Sequence, residues 1–255
     1  MTTGAELGGR AATTPVEPRP AATVMLLRDG RDTLEVLLLE RATSTPFVPG
    51  AHVFPGGAVD DTDLAGIDGD ARHDVVAGRS PEEADALLGV PDARAWFLTA
   101  VRECLEEAGV VLGRTRDGAP VPPDHPVFAE LAALRIALES GTRSLVDVYR
   151  AHGLQVRVDE LAYVARWITP EVSPRRYDAR FFAAAMPEGQ RAHADGWEAV
   201  DAGWWSPQGA LSDWQAGRIE LIEPTVASLR LLAEHRSVRD ALDALHAATP
   251  VGGDG

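Results

Sequence analysis

VRECLEEAGV, residues Val101–Val110, gathers Glu103, Glu106 and Glu107 beside Arg102 in a stretch with helical apolar spacing. With Glu103 as origin and about 100° per residue, Glu106 falls near −60° and Glu107 near +40°. The three carboxylates therefore share one face. Phe97, Val101, Cys104 and Ala108 fall at roughly 100° to 160°, on the opposite face. The pattern predicts an amphipathic helix opened by Asp92 and ended by Gly109, with its apolar back on a core and an acidic front. Glu103 and Glu107 are like charges one turn apart, near a C-terminus whose dipole disfavours anions. A bound divalent cation removes both penalties, and clustered carboxylate oxygens suit hard Mg²⁺ or Mn²⁺.

The rest of the chain narrows the classes open to it. Its 255 residues, 45% hydrophobic, can fill one sizeable core. A net charge of −15 argues against nucleic acid or an anionic membrane as the main partner. The single cysteine, Cys104, excludes a disulfide framework and a multi-cysteine zinc site. Its place on the apolar helix back points to packing. Without a long apolar run or a signal-peptide pattern, a soluble cytoplasmic protein is expected.

Residues 1–19 are small, polar and Pro/Gly-rich and read as a flexible N-terminal tail; residues 249–255 read as a C-terminal one. Between them, 20–248 read as one domain. AATVMLLRDG and LEVLLLERA form a predicted hairpin around Asp29-Gly30. Ser80, Pro81, Glu83 and Gly89 mark a capped helix. Helices are also expected over 126–140 and 144–152, beyond a Pro-rich loop at 119–126. Three core strands follow, in ELAYVARWITP, ARFFAAAMP and GWEAVDAGWWS, then three helices. Strands and helices interleave without a repeat or a regular βαβ period, which predicts an α+β fold layered around a mixed sheet.

Arg102, Glu103, Cys104, Glu106, Glu107, Gly109 and Val110 fill every specified place in the second half of the Nudix box, R-E-U-x-E-E-x-G-U, which this stretch resembles. The first half, G-x5-E, is not adjacent: Arg94 stands at the acid's place and Leu88 at the glycine's. Upstream, FPGGAVDDTD supplies Gly57 and, six positions on, Asp63. Residues 64–101, 38 positions where the family has seven, separate Asp63 from Arg102. The box reads as split by an insertion over 64–94, with a further helical insertion over 119–153.

LLLERATSTPFVPGAHVFPGGAVD, with Leu38, Leu39, Arg41, Gly50, Phe54, Pro55, Gly56, Gly57 and Asp60, is similar to the coenzyme A diphosphatase-like branch of Nudix hydrolases. WITPEVSPRRYDARFF, Trp167–Phe182, extends the likeness. The resemblance implies the Nudix fold, an α/β/α sandwich around a mixed β-sheet with helical insertions. It implies hydrolysis of a diphosphate linkage in a nucleotide derivative, with coenzyme A or acyl-CoA as the leading substrate class. A dinucleotide such as ADP-ribose or NADH, or a Nudix-fold ligand sensor without catalysis, are the alternatives.

By the same resemblance, Mg²⁺ (or Mn²⁺) is held by Glu103, Glu106, Glu107 and the Gly56 carbonyl, and Arg102 orients the glutamates. Glu198 is the first candidate for general base and Asp195 the second. Arg41, Gly57, Arg175, Arg176 and Arg180 are candidates for contacting substrate, the arginines by pairing phosphate or by carrying structural ion pairs. Trp167, Trp204 and Trp205 could stack on a base or fill the core. His52 lies close to the glycine loop. The resemblance also admits a homodimer.

Overall fold

The predicted hairpin forms: β1 (Arg19–Asp29) pairs antiparallel with β2 (Leu34–Arg41), Leu27 opposite Val36. β1 sits inside a mixed sheet and is buried on both faces. Ala22, Val24 and Leu26 join one apolar cluster, while Met25 and Leu27 join the other. This is why its sequence reads as a near-continuous apolar run rather than an alternating one. Residues 16–45, 48–67, 74–248 and 251–254 are described in this computed structural model.

Three short elements follow the hairpin: β3 (His52–Val53), β4 (Gly56–Ala58) and α1 (Asp61–Gly66). Then come β5 (Val76–Ala77), α2 (Pro81–Leu88) and the long α3 (Arg94–Ala108). β6 (Arg114–Thr115), α4 (Leu131–Glu139), α5 (Leu145–Ala151) and β7 (Leu154–Arg157) make up the middle of the chain. β8 (Ala162–Ile168), β9 (Tyr177–Ala185) and β10 (Ala199–Trp205) are the three predicted core strands. α6 (Pro207–Gln215), α7 (Glu223–Leu232), α8 (Val238–Ala247) and β11 (Val251–Asp254) end the order.

The main sheet runs β10-β2-β1-β9-β8-β11, with β3 on β2 and β4 on β1. β1 and β9 are parallel, whereas β2 with β10 and β8 with β9 are antiparallel. α3 lies across β1 and β4 on one face, and Phe97 stacks on Phe182 of β9 with ring centroids 4.6 Å apart. The other face is closed by Ala210 of α6, Leu229 and Leu232 of α7, and Ala241 and Leu245 of α8. Each Leu, Val or Phe buried in these layers contributes about 1.5–3 kcal/mol of transfer free energy. The expected α/β/α sandwich is the observed architecture.

The described residues of the segment 64–94 contribute to the core. β5 pairs with β7, and β6 pairs with the other side of β7, forming a second, three-stranded sheet. Val75, Val76, Ala84 and Leu88 pack in the same cluster as Val148, Val156 and Val158. Gly66 shows how close the join is: a Cβ there would lie 2.8 Å from Val146 Cγ2 and 3.1 Å from Leu98 Cδ1.

Several expected boundaries shift. Arg19, the last residue of the expected N-terminal tail, opens β1, and residues 1–15 lie outside the described residues. Val251–Asp254, expected as tail, pair parallel with β8. α3 starts at Arg94 rather than at Asp92, whose φ of 56° is left-handed. The amide of Ala93 donates to Asp85 Oδ1 at 2.9 Å, so the preceding helix supplies the cap. The helix expected over 126–140 opens with a 3-10 turn, Pro126–Glu130. Ser80 and Glu83 form the predicted capping box, and Gly89 and Gly109 end their helices with φ of 67°.

Candidate active site

α3 carries the three glutamates, and every residue in it is buried except the half-buried Glu106. The acidic front predicted from the helical wheel therefore faces other protein groups and a cavity, not open solvent. Glu103 is 8% exposed and Glu107 5%. Burial, followed by the charge of Glu103, pushes Glu106 up to about 8 and Glu107 well above the usual carboxylate range. Burial also pushes Glu103 up to about 7, although Arg102 opposes the shift. Burial raises the Cys104 thiol as well, which suits packing and not nucleophilic attack.

Arg102 is held from four directions. Its Nε and Nη2 donate to the Asp63 carboxylate at 3.1 and 2.8 Å, and Nη2 also donates to the Ala58 carbonyl at 3.0 Å. Nη1 donates to Glu103 Oε1 at 2.7 Å and to Glu106 Oε2 at 3.3 Å. Burial alone would lower its pKa, but Glu103, Asp63 and Glu106 outweigh that and keep the guanidinium firmly charged. Asp63, 2% exposed, also accepts from Thr99 Oγ1 at 2.8 Å. Its backbone partner is Asp60, which caps α1 and forms a capping box with it. The sequence pairing of Asp63 with Arg102 is thus a direct contact across 38 residues.

The glycines allow close approach. Gly56 N–H donates to Glu107 Oε2 at 2.9 Å, and Gly56 faces Thr23 in the β1–β4 ladder. A Cβ on Gly56 would stand 2.7 Å from the Ala22 carbonyl oxygen, and one on Gly57 would stand 2.6 Å from Glu103 Cδ. At Gly56 the obstruction is the β1 backbone, so only glycine lets β4 lie against β1 there, whereas at Gly57 it is the movable Glu103 side chain.

The loop from 186 to 198 is fastened to the C-terminal end of α3. Gln190 exchanges hydrogen bonds with Val111, receiving its N–H at 2.9 Å and donating to its carbonyl at 3.1 Å. His193 N–H reaches the Ala108 carbonyl at 3.0 Å. Asp195 Oδ1 then accepts the N–H groups of Trp197, Glu198 and Ala199 at 2.6, 2.9 and 3.2 Å. Asp195 thereby organises the turn, and Glu198, whose side chain has no hydrogen bond or ion pair among the described residues, lines the cavity. The negative charge of Glu198 acts on both Glu103 and Glu107.

The three glutamates, Arg102, the two glycines, Asp195 and Glu198 open on a cavity of about 870 Å³. Aromatic and arginine side chains, Tyr177, Phe181, Trp167, Arg19, Arg41 and Arg175, line the same cavity. Among the described residues no group of three His, Cys, Asp or Glu could hold a metal ion as it stands. Glu103 and Glu106 are turned onto Arg102, and Glu107 onto Gly56.

Not every predicted contact reaches the cavity. Arg176 donates from Nε to the Thr169 carbonyl and from Nη1 to the Val16 carbonyl, at 2.9 and 2.8 Å, and stays outside the lining. Arg180 is buried, ion-paired with Asp178 and 5.7 Å from the Trp96 ring centroid. Its β9 alternation points it to the core, while its neighbours Ala179 and Phe181 line the cavity. Trp204 packs under Arg28, and Trp205 meets His52 edge-on, so Trp167 is the only one of the three named tryptophans at the cavity. His52 faces a smaller hollow with Glu40 and Asp201.

Sequence reasoning passed over Arg19, Thr23, Arg135 and Trp197, all of which line the cavity. Trp197, 55% exposed, directly precedes Glu198, and Arg135 is the one charge within LAALRIAL. Trp197 was visible beside the candidate base, whereas Arg135 reaches the cavity through tertiary contacts that no local signal announces.

A mixed sheet between two helical layers, with the R-E-x-x-E-E helix packed on a Gly-Gly strand, is the Nudix fold. The chain belongs to the NUDT19 Nudix domain family, which matches residues 11–232. Acyl-coenzyme A diphosphatase NUDT19 of Homo sapiens is 29% identical over 258 residues, covering 90% of this chain and 66% of that protein. The Gallus gallus protein of the same name is 28% identical, over 81% of this chain and 63% of its own length. This chain thus spans just under two thirds of these relatives. The crystal structure of a NUDIX hydrolase from Alicyclobacillus acidocaldarius superposes with a TM-score of 0.67 at 30% identity, over 89% of this chain and 96% of that one.

Proposed function

We propose that the protein hydrolyses the diphosphate linkage of a nucleotide derivative, with coenzyme A or an acyl-CoA as substrate. The observation that carries this reading is the buried trio Glu103, Glu106 and Glu107, braced by Arg102 and Asp63 at the wall of a large cavity. Resemblance to acyl-coenzyme A diphosphatases supports the choice of substrate. So do the aromatic and arginine groups in the same cavity, which suit a base and phosphates.

Asp63, Gly57 and the Arg102–Glu107 stretch act as two halves of one Nudix box that meet in space. The donor set fits a hard divalent cation: three adjacent carboxylates, raised by burial and mutual repulsion, need positive charge beyond Arg102. Glu103, Glu106, Glu107 and the Gly56 carbonyl would hold Mg²⁺ or Mn²⁺, which supplies charge neutralisation and a more acidic water.

The chain's own groups do the rest. Water attacks one phosphorus, the bond from that phosphorus to the bridging oxygen breaks, and two phosphate monoesters leave. Glu198, at the cavity wall, takes the water proton. Asp195 holds the turn that presents it. Arg102 fixes Glu103 and Glu106 from behind, and Arg41 and Arg175 bind phosphate oxygens.

Incubation of purified protein with CoA, an acyl-CoA, ADP-ribose and NADH, with Mg²⁺ or Mn²⁺, tests the proposal by product mass. Phosphopantetheine (or its acyl form) and adenosine 3′,5′-bisphosphate are the expected products. Cleavage of ADP-ribose or NADH alone would replace the CoA reading, and no metal-dependent cleavage at all would favour a ligand sensor.

A further inference from the structure

Arg135 stands out among the buried charges. It is 8% exposed, sits on α4 within the segment 119–153, and lines the cavity together with Leu138 and Glu139. Arg102 and Arg180, equally buried, are each ion-paired, to Asp63 and to Asp178. Arg135 has no ion pair among the described residues. Its Nε donates to the Leu105 carbonyl at 3.2 Å and its Nη2 to the His193 carbonyl at 2.8 Å. Both acceptors are neutral, so the charge is oriented but not neutralised.

The nearby acids are committed elsewhere. Asp195 Oδ1 takes three backbone N–H groups, and Glu107 Oε2 takes the Gly56 N–H. Both act on Arg135 through space without forming a contact. A guanidinium has five N–H donors, of which Arg135 uses two on these carbonyls. Among the described residues Nη1 has no acceptor, and Arg135 lines the cavity. A desolvated cation without a counter-ion is costly, and a ligand anion offsets that cost.

We propose that Arg135 is an anion-binding residue that receives an oxygen of the substrate's diphosphate, beside the end of α3 that carries Glu107. The inference rests on the diphosphatase reading for the identity of the anion, but not for the site. The two carbonyl bonds hold the guanidinium plane between α3 and the loop carrying Trp197 and Glu198, so one residue joins anion, glutamates and loop. Segment 119–153 thereby contributes a specificity wall to the cavity.

The test is calorimetric titration of methylenediphosphonate, a diphosphate that cannot be hydrolysed at its bridge, into intact protein with Mg²⁺. Arg135→Gln keeps donors for one carbonyl and loses the charge; Arg135→Lys keeps the charge. Loss of about tenfold or more in affinity is expected for Arg135→Gln, with Arg135→Lys closer to wild type. Thermal melts report whether each variant is folded, and if Arg135→Gln does not fold, Arg135→Met, which keeps much of the stem without the charge, is titrated in its place and read the same way. Wild-type affinity in folded Arg135→Gln, or equal weakening in both variants, would overturn the proposal and leave Arg135 a structural tie. Arg135-dependent binding without cleavage of any nucleotide diphosphate would sink the diphosphatase reading and leave this one standing. Cleavage with affinity unchanged in Arg135→Gln would do the reverse.

Discussion

Asp63 accepts the Arg102 Nη2–H at 2.8 Å and Nε–H at 3.1 Å, although 38 residues separate them in the chain. Both side chains are buried, so neither has water to replace the other. Removing Asp63 takes its charge-assisted hydrogen bonds from Arg102, whose charge Glu103 and Glu106 still balance, a loss of about 1.5–3 kcal/mol. Asp63→Ala is expected to lose stability of that order in urea denaturation and to lose activity with it, because Glu103 and Glu106 lean on the same guanidinium. A variant within about 1 kcal/mol of wild type would mean the contact does not brace the site.

Thr99 shares the load at Asp63 through its 2.8 Å hydrogen bond. Thr99→Val keeps shape and removes that donor. About 1 kcal/mol of destabilisation is expected, the size of one buried hydrogen bond. Thermal unfolding checks it, and a Tm equal to wild type would show the bond to be idle.

Gly57 lies against Glu103, and an added Cβ would sit 2.6 Å from its Cδ. The obstructing group is the far end of a flexible side chain, so Gly57→Ala should fold while displacing the Glu103 carboxylate. The expected result is a fall in kcat of tenfold or more, roughly what misplacement of one catalytic group costs, with little change in Tm. Retained kcat would show that Glu103 tolerates displacement.

Glu103 is pushed up to about 7 and Glu106 to about 8, and Glu107 is raised well above the usual carboxylate range, whereas unfolded glutamate titrates at about 4.3. Raised folded-state values mean the folded protein binds more protons across that window. Their contribution to stability is full below about pH 4.3 and is lost as pH rises through about 7 to 8. Melts in EDTA should therefore show Tm falling from about pH 5 to 9. Mg²⁺ should restore Tm most at the alkaline end, where the carboxylates are free to bind it. A Tm that rises with pH in EDTA would contradict the burial of these groups.

How much of this was legible without coordinates depends on the range of the signal. The glutamate face, the Arg102 neighbour and the Gly109 stop are local helix properties, and spacing alone exposed them. Asp63 was found because a motif half was missing, not because any local signal linked it to Arg102. The helical wheel put the carboxylates on one face, but a wheel cannot see β4, α1 and the loop from 186 to 198 that pack against it. Arg176 and Arg180 misled for a related reason: strand alternation and turn geometry decide which arginine faces the cavity, and composition carries neither. Arg135 reaches the site from a segment read as an insertion, so its role depended on a tertiary contact.

The central claim is that Glu103, Glu106 and Glu107 form a metal-dependent diphosphatase centre. Its most direct measurement is the rate of CoA or nucleotide diphosphate cleavage by wild type and by Glu106→Gln and Glu107→Gln, with Mg²⁺ and with EDTA. Cleavage that needs Mg²⁺ and falls by roughly a hundredfold or more in each folded variant is the predicted result. Cleavage that persists in EDTA, or that survives both substitutions, would contradict it.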